Sequence, residues 1–557
     1  MIAAACGGGG GGGGGTGEGA EFDEPPTDEG TPQRGGKVTY GLEAETGGGW
    51  CLPGSQLAAP GIQVAGAIYD TLVVPASDGA GGVEYVPFLA ESVEPNDTFT
   101  EWTIKVREGI TFHDGTPLNA DAVKGTLDAF RGLTEGIAAP LFGSIVFPQV
   151  TAVDVVDDLT VRVTTTVPWV AFDAALWSTG RLGIVAPAQL ADPDTCERNL
   201  IGTGPFRIVN CESVDCGWVV NDRFTAERNP DYWREDANGE QLPYLDEIEF
   251  RPVPAVAQRV NGLTGGELNL IHTTDGPTIS NLRRDAEAGQ INLLESDFAA
   301  EISYSMLQVS QPPFNSKNAR LAIAHALDPD EFIELTQDGV PQRAVQPFAP
   351  DNIAYLDPDE LDFPEYDPDR AQEFVDAYLE ETGESELSFT ILTTNDPVNL
   401  RLAQLIQSQA EAAGMNATID QVDQTEIINT ALGGDFNLNL WRNHPGGDPD
   451  TQRVWWYSVT EEGTPNFVNF NRINDPEIDR LFDEGRSETD EARRAEIYQE
   501  ISRIFAEEAY NLWGWYTLWA FGAADDVHGL FPPELPDGQE PVIIASVQPV
   551  AGLWIDD

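Results

Sequence analysis

Lysine is almost missing from this chain, occurring only at Lys37, Lys105, Lys124 and Lys317. Basic residues of both kinds number 30 against 93 acidic ones, which leaves a formal net charge of −63. A surface this negative repels the phosphates of nucleic acids and of anionic lipids, so no nucleic-acid partner is expected. The acidic residues are spread along the whole chain, the pattern of a solubility or salt-tolerance trait of the surface. Long apolar runs are missing as well. No stretch approaches the ~18 to 20 consecutive apolar residues of a membrane-spanning helix, and the longest runs, such as Leu518 to Ala524, are strand-sized. Catalytic signatures are also lacking: there is no G-x-S-x-G elbow and no H-E-x-x-H pair.

Cysteine is sparse, with Cys6, Cys51, Cys196, Cys211 and Cys216. Without Cys6 an even four remain, and no C-x-x-C or zinc-spaced histidine accompanies them. Two disulfides in an oxidising compartment fit this pattern better than a metal site. Four cysteines allow three connectivities. The segment CESVDC favours a small loop from Cys211 to Cys216, which pairs Cys51 with Cys196.

What is abundant is glycine, and nine in a row follow Cys6. Such a run has nothing to bury and the largest backbone entropy to lose, so it belongs to a tether and not to a core. Residues 1–35 read as a disordered tether of Gly, Pro, Thr and acidic side chains. The run AAAC resembles the lipobox of bacterial lipoproteins, which makes Cys6 the expected lipid anchor. Only five residues precede it, so the charged and apolar regions of a signal peptide are expected upstream of Met1.

From about Gly36 the chain alternates strand and helix signals, and 557 residues are ample for two lobes. Val38, Tyr40 and Leu42 alternate after a glycine turn, as do Trp102, Ile104 and Val106; Asn119 is placed to cap a helix, and Asp157-Asp158 to turn a strand pair. In DPDRAQEFVDAYLEETG, Asp367 caps, Pro368 occupies the first helical position and Gly383 terminates, with Ala371, Phe374, Val375, Tyr378 and Leu379 as the buried stripe. The same grammar recurs from Asp396 to Gly414, with strands LSFTILTT and NATIDQV on either side, which predicts an α/β sheet covered by helices. A last helix is expected over about 489–510. After it, period-two alternation in NLWGWYTLWAF puts Trp513, Trp515 and Trp519 on one side. HDGTP and GTGPF read as turn and backbone devices; the latter lacks the Lys-Ser/Thr of a phosphate loop.

Six of these segments, in order, resemble the bacterial extracellular solute-binding protein family 5, the dipeptide, oligopeptide and nickel-binding components of ABC importers. They are the stretch Tyr85 to Val123, IGTGPFRI, ERNPDYW, LPYLDEIEFRPVP, the stretch Gln311 to Phe332 and the stretch Phe470 to Ile501. The resemblance implies an α/β fold of the type II periplasmic-binding-protein kind, with two lobes of mixed sheets joined by a two-crossing hinge. It places the first lobe at 36–281 with a subdomain near 66–180, the second at 282–514, and a return to the first lobe at 515–557. It implies capture of a small ligand, oligopeptide-like or another organic solute, between closing lobes, delivery to ABC permease subunits, no catalysis and no cofactor. A monomer is expected, on the outer face of the cytoplasmic membrane or in the periplasm, touching membrane through its lipid anchor only. A secreted hydrolase, or a sensor or adaptor on the same fold, is the alternative.

In peptide-binding relatives, Trp, two residues and then Asp mark the partner of the peptide ammonium. Here the count from Trp441 arrives at His444, which offers at best a neutral acceptor, and Asp448 aligns with a later Asp-Pro. Arg442 is then a candidate for a ligand carboxylate or phosphate. Trp50, Trp441, Trp455, Trp456, Trp515 and Tyr516 are the candidate aromatic walls, since ligand pockets are mostly apolar with few polar anchors. The remaining histidines are scattered, and no metal site is expected.

Overall fold

The structure is a computed structural model describing residues 30–45, 49–55, 57–209, 217–395, 397–443, 446–460 and 463–556. Cys6, Cys211, Cys216, Asp396 and His444 lie outside the described residues.

Two mixed sheets organise the chain. The larger has eight strands and is built around Lys37–Leu42, which runs parallel to Glu247–Pro252 on one side and to Leu270–Thr273 on the other. All residues from Val38 to Leu42 are buried, because helices and loops cover both faces of this central strand. The strict in-out alternation expected there is therefore absent. Trp519–Ala524 and Ile291–Ser296 extend the sheet at one edge; Arg223–Arg228 and Phe206–Ile208 extend it at the other. The second sheet has five strands. Asn416–Val422, Ser388–Thr394 and Leu438–Asn443 are parallel, and Ile302–Leu307 and Asn511–Tyr516 complete it antiparallel. A four-stranded antiparallel sheet, Ala90–Pro95, Glu101–Val106, Thr160–Thr165 and Val150–Asp157, packs with the larger sheet in one continuous core.

The chain changes sheets between Ser296 and Ile302 and again between Tyr516 and Trp519. The sheets thus divide the chain at these two points and not at 281/282 and 514/515, because Ile291–Ser296 pairs in the larger sheet and Trp515 and Tyr516 end a strand of the smaller. The two crossings are tied to each other, Thr517 N donating to Glu301 O at 2.7 Å.

Local chemistry explains the element boundaries. Asn119 accepts from Ala122 N to cap Ala120–Phe130, and Asp367 accepts from Arg370 N to cap Pro368–Thr382, which Gly383 closes at φ +74°. Asp490 caps Glu491–Glu508, the last helix, which buries Ile497, Ile501 and Phe505. The segment through Phe112 forms only an isolated bridge, Thr111 to Pro117, and no second strand. Gly202 and Gly204 of GTGPF lie against the backbone of Ile68. A Cβ on Gly204 would stand 2.6 Å from the Ile68 carbonyl carbon, and one on Gly202 would overlap the Ile68 oxygen.

The tryptophans near the C-terminus do not share one side. Ser303 pairs with Trp515, but the next residue, Tyr304, pairs with Trp513, so Gly514 is an extra residue in its strand. That one-residue bulge inverts the alternation. Trp515 packs in the core on one face of the five-stranded sheet, Trp513 in the core on the other, and Trp519 in the core of the larger sheet.

Candidate functional site

A cleft of about 1850 Å³ lies between the two large sheets. Its position follows from topology, since parallel strands deliver their carboxyl ends to one edge and leave a crevice outside it. Glu43 and Glu45 follow the strand Lys37–Leu42, Pro254 and Ala255 follow Glu247–Pro252, and Thr274 and Asp275 follow Leu270–Thr273; all of them line the cleft. From the five-stranded sheet come Asn395, Asp423 and the segment 440–442, again at the carboxyl ends of parallel strands.

Trp441, Trp455 and Trp515 are walls of this cleft, as expected from the sequence, and Trp513 joins them. Trp441 and Trp455 both pack on Phe470, with ring centroids 5.1 and 6.0 Å away. The other aromatics expected there are elsewhere. Trp50 is 1% exposed and lies edge-on to Trp218 and Phe224, in core behind the cleft. Trp456 is core between Phe505 and Trp513. The Tyr516 hydroxyl donates to Phe348 O at 3.0 Å, away from the cleft lining. Asp448 accepts from both terminal nitrogens of Arg494 at 2.6 and 2.7 Å and caps the turn Pro449–Gln452, a structural use of the carboxylate.

Arg442 does line the cleft, but its charge is matched from within. Its Nη2 stands 3.1 Å from Glu43 Oε1, its Nε 2.9 Å from Glu301 Oε2, and its guanidinium lies over the Trp519 ring at 4.8 Å. Glu301 also accepts from Trp519 Nε1 at 3.0 Å. Desolvation pushes Glu43 upward, and the Arg442 charge overcomes it, holding the carboxyl below its ordinary value. His272 Nε2 accepts from Glu43 N at 3.0 Å; burial pushes this imidazole down to about 3, so it stays neutral. Since Glu43 comes from the larger sheet and Arg442 from the smaller, this network spans the cleft.

A second buried cluster spans it at another wall. Asp450 pairs with Arg486 at 2.9 Å and accepts from Trp169 Nε1 at 2.9 Å, while Arg486 Nη1 donates to Gln149 Oε1 at 2.9 Å. Desolvation would raise Asp450, but Arg486 holds it below its ordinary value. Sequence reasoning missed Glu43, His272, Glu301, Asp450 and Arg486. The place of Glu43, directly after the first strand of a parallel set, was the one legible signal; the others become neighbours only through long-range packing.

The cleft lining has a charge balance unlike that of the whole chain. Among the described residues it carries Arg181, Arg259, Arg401, Arg442, Arg453 and Arg486 against Glu43, Glu45, Asp275, Asp423 and Asp450, six cations to five anions with no Lys or His. The complete chain stands at −63. Among the described residues no group of three or more His, Cys, Asp or Glu could hold a metal ion. Cys51 and Cys196 form a disulfide that ties the segment after the first strand to residues near 187–200.

Residues 84–464 match the family model of bacterial extracellular solute-binding proteins, family 5 (Middle). The chain belongs to this family. Among curated relatives, heme-binding protein A of Haemophilus influenzae is 26% identical over 77% of this chain and 78% of its own length. Di/tripeptide-binding protein 2 of Pseudomonas aeruginosa is 27% identical over 77% and 80%. Among solved structures, the periplasmic binding protein DppA of Helicobacter pylori in complex with the peptide STSA superposes with a TM-score of 0.79, covering 94% of this chain and 99% of that one at 20% identity. The fold of this family member is thus the type II periplasmic-binding-protein fold, two lobes of mixed sheets. No helix among its described residues is long and apolar enough to cross a membrane.

Proposed function

We propose that this protein is the extracytoplasmic solute receptor of an ABC importer, a lipoprotein held at the outer face of the cytoplasmic membrane or in the periplasm through Cys6. It captures an oligopeptide-like or other organic solute between two lobes, 30–296 with 519–556 and 302–516, and presents it unchanged to membrane permease subunits. The observation that carries this reading is the cleft itself: about 1850 Å³ of space between the two sheets, walled by Trp441, Trp455, Trp513 and Trp515. That exceeds the ~300 to 1,000 Å³ of an ordinary small-molecule pocket and suits a peptide or a large organic ligand. The two crossings give the lobes a short hinge, and a solute that touches both lobes favours the closed arrangement by its extra affinity for it.

Relatives named for heme, di- and tripeptides and glutathione define the first screen. Melting temperature measured with each candidate solute, followed by calorimetry and by chemical analysis of the recovered solute, is expected to show stabilisation and an unaltered molecule. Turnover of the bound solute would overturn the reading. So would cleft substitutions such as Trp441→Ala that leave the thermal shift intact.

A further inference from the structure

The cleft arginines are not equivalent. Arg442, Arg453 and Arg486 each have a carboxylate at ion-pair distance, respectively Glu43 and Glu301, Asp483, and Asp450. Arg259 directs its donors at three backbone carbonyls, those of His272, Val253 and Pro254. Arg401 is exposed and keeps its water. Arg181 lines the cleft and forms no ion pair among the described residues. In a chain with 93 acidic residues, the missing acid is not a matter of supply.

Its surroundings hold the guanidinium in place without neutralising it. Nε donates to Leu57 O at 3.0 Å, Nη1 lies a long 3.5 Å from Ser178 O, and Nη2 has no acceptor among the described residues. The terminal edge of the fork, Nη1 and Nη2, is therefore the part left for another partner. The backbone leading into it is strained at Ser178 and Thr179, with φ of 46° and 55°, and Gly180 at 74° continues the left-handed run without strain. Such conformations persist where the surrounding structure imposes them, often at binding sites. On the same wall the helix Ala59–Ile68 begins at Ala58, whose methyl side chain cannot cap it, so its positive end adds to the field around the guanidinium. Burial pushes Arg181 down to about 10, opposed by the charge of Glu301, whereas Arg442, also desolvated, is raised by Glu301 and Glu43.

Taking the solute-receptor reading as its basis, we propose that Arg181 is the anion subsite of the cleft and grips a carboxylate of the bound solute through its terminal Nη1–Nη2 edge. A planar two-oxygen anion matches that fork, and the bond is charge-assisted on both sides. The solutes this favours carry a free carboxylate, as unblocked peptides and organic acids do.

The test uses a minimal probe, so it does not wait for the natural solute. Side-chain spectra of protein labelled with 15N-arginine are recorded during titration with sodium propionate, against sodium chloride at equal ionic strength and against neutral propionamide. Arg181 is assigned as the resonance absent from Arg181→Gln, and melting temperature is followed in parallel. Propionate, but not propionamide, is expected to shift that resonance and raise the melting temperature. Arg181→Gln abolishes the thermal response, Arg181→Lys weakens it by roughly 10-fold in affinity, and the surface variant Arg503→Gln keeps it. An unmoved Arg181 resonance, or an equal thermal response in Arg181→Gln, overturns the subsite. The solute screen is read separately. A blocked, uncharged peptide that binds while Arg181 ignores propionate leaves solute capture standing and removes the subsite. A propionate response with no larger solute bound does the reverse.

Discussion

Asp450→Asn tests how strongly the two lobes are held at the buried cluster beside the cleft. The Asp450 carboxylate is 4% exposed at its side chain and takes donors from Arg486, Trp169 Nε1 at 2.9 Å and Tyr498 OH at 3.2 Å. An amide of the same shape removes the charge, keeps only one acceptor oxygen and turns an N–H₂ toward groups that are themselves donors. Arg486, whose side chain is 6% exposed, is then a buried cation without its counter-ion. Breaking a buried pair in this way costs about 3–5 kcal/mol. At 4 kcal/mol the melting temperature falls by about 3 °C if all 557 residues unfold together and by about 9 °C if the part 302–516 unfolds alone, since the entropy change scales with the number of residues unfolding. Differential scanning calorimetry and urea titration followed by circular dichroism measure both quantities. The double variant Asp450→Asn with Arg486→Met should lose less than the sum of the single changes, because the second change removes the stranded charge. Acid dependence gives a further check. Asp450 titrates below its ordinary 3.8 when folded, so its contribution is complete above that value and is lost as pH falls through the folded value. The variant should therefore lose less stability than the parent in that acid window. A single-variant loss under about 1 kcal/mol, the range of exposed pairs, would refute the reasoning.

Three other outcomes are expected. Gly202→Ala should fail to fold or melt far lower, because its Cβ overlaps the Ile68 carbonyl oxygen, whereas Gly125→Ala, inside the helix Ala120–Phe130 with nothing within 4 Å, should gain about 0.5–1 kcal/mol in urea titration. Replacing Cys51 and Cys196 by Ser should cost up to about 5 kcal/mol, the chain-entropy figure for a bridge closing a loop of this length, and the sequence separation is 145. With Cys196 fully buried, thiol titration should show the bond resisting reductant in buffer and yielding in urea. Asp173 is pushed up to about 6, first by burial and further by Asp448, so the folded form is penalised once pH rises above the unfolded value, fully so above about 6. Asp173→Asn should accordingly raise the melting temperature more at pH above 7 than near pH 4 to 5; an equal gain at both would remove the assigned cause.

Much of the fold was legible because its signals are local. Asp367, Pro368 and Gly383 mark a helix by the backbone groups they satisfy or tolerate, and the helix found, Pro368–Thr382, begins and ends there. Asn119 caps as expected for the same reason. The six ordered segments carried the family resemblance, and the family match and fold agree with it. Three of the aromatic candidates, Trp441, Trp455 and Trp515, do line the cleft. Trp50 and Tyr516 do not, because a tryptophan or tyrosine carries the same apolar payload whether it walls a cleft or fills a core, and only its neighbours distinguish the two.

The amino-acid order by itself determined the periodicities, the caps, the tight turns and the charge of −63, since each depends on residues a few positions apart or on a sum over the chain. Tertiary structure alone decided that an extra Gly514 would put Trp513 and Trp515 on opposite faces. It alone brought Glu43 to Arg442 across nearly 400 positions, and it left Arg181 at the cleft wall with no ion pair among the described residues. The physical reason is one of range. A cap or turn is satisfied by its own neighbours along the chain, while the partner of a buried charge is whatever the packing of distant elements places within about 4 Å of it.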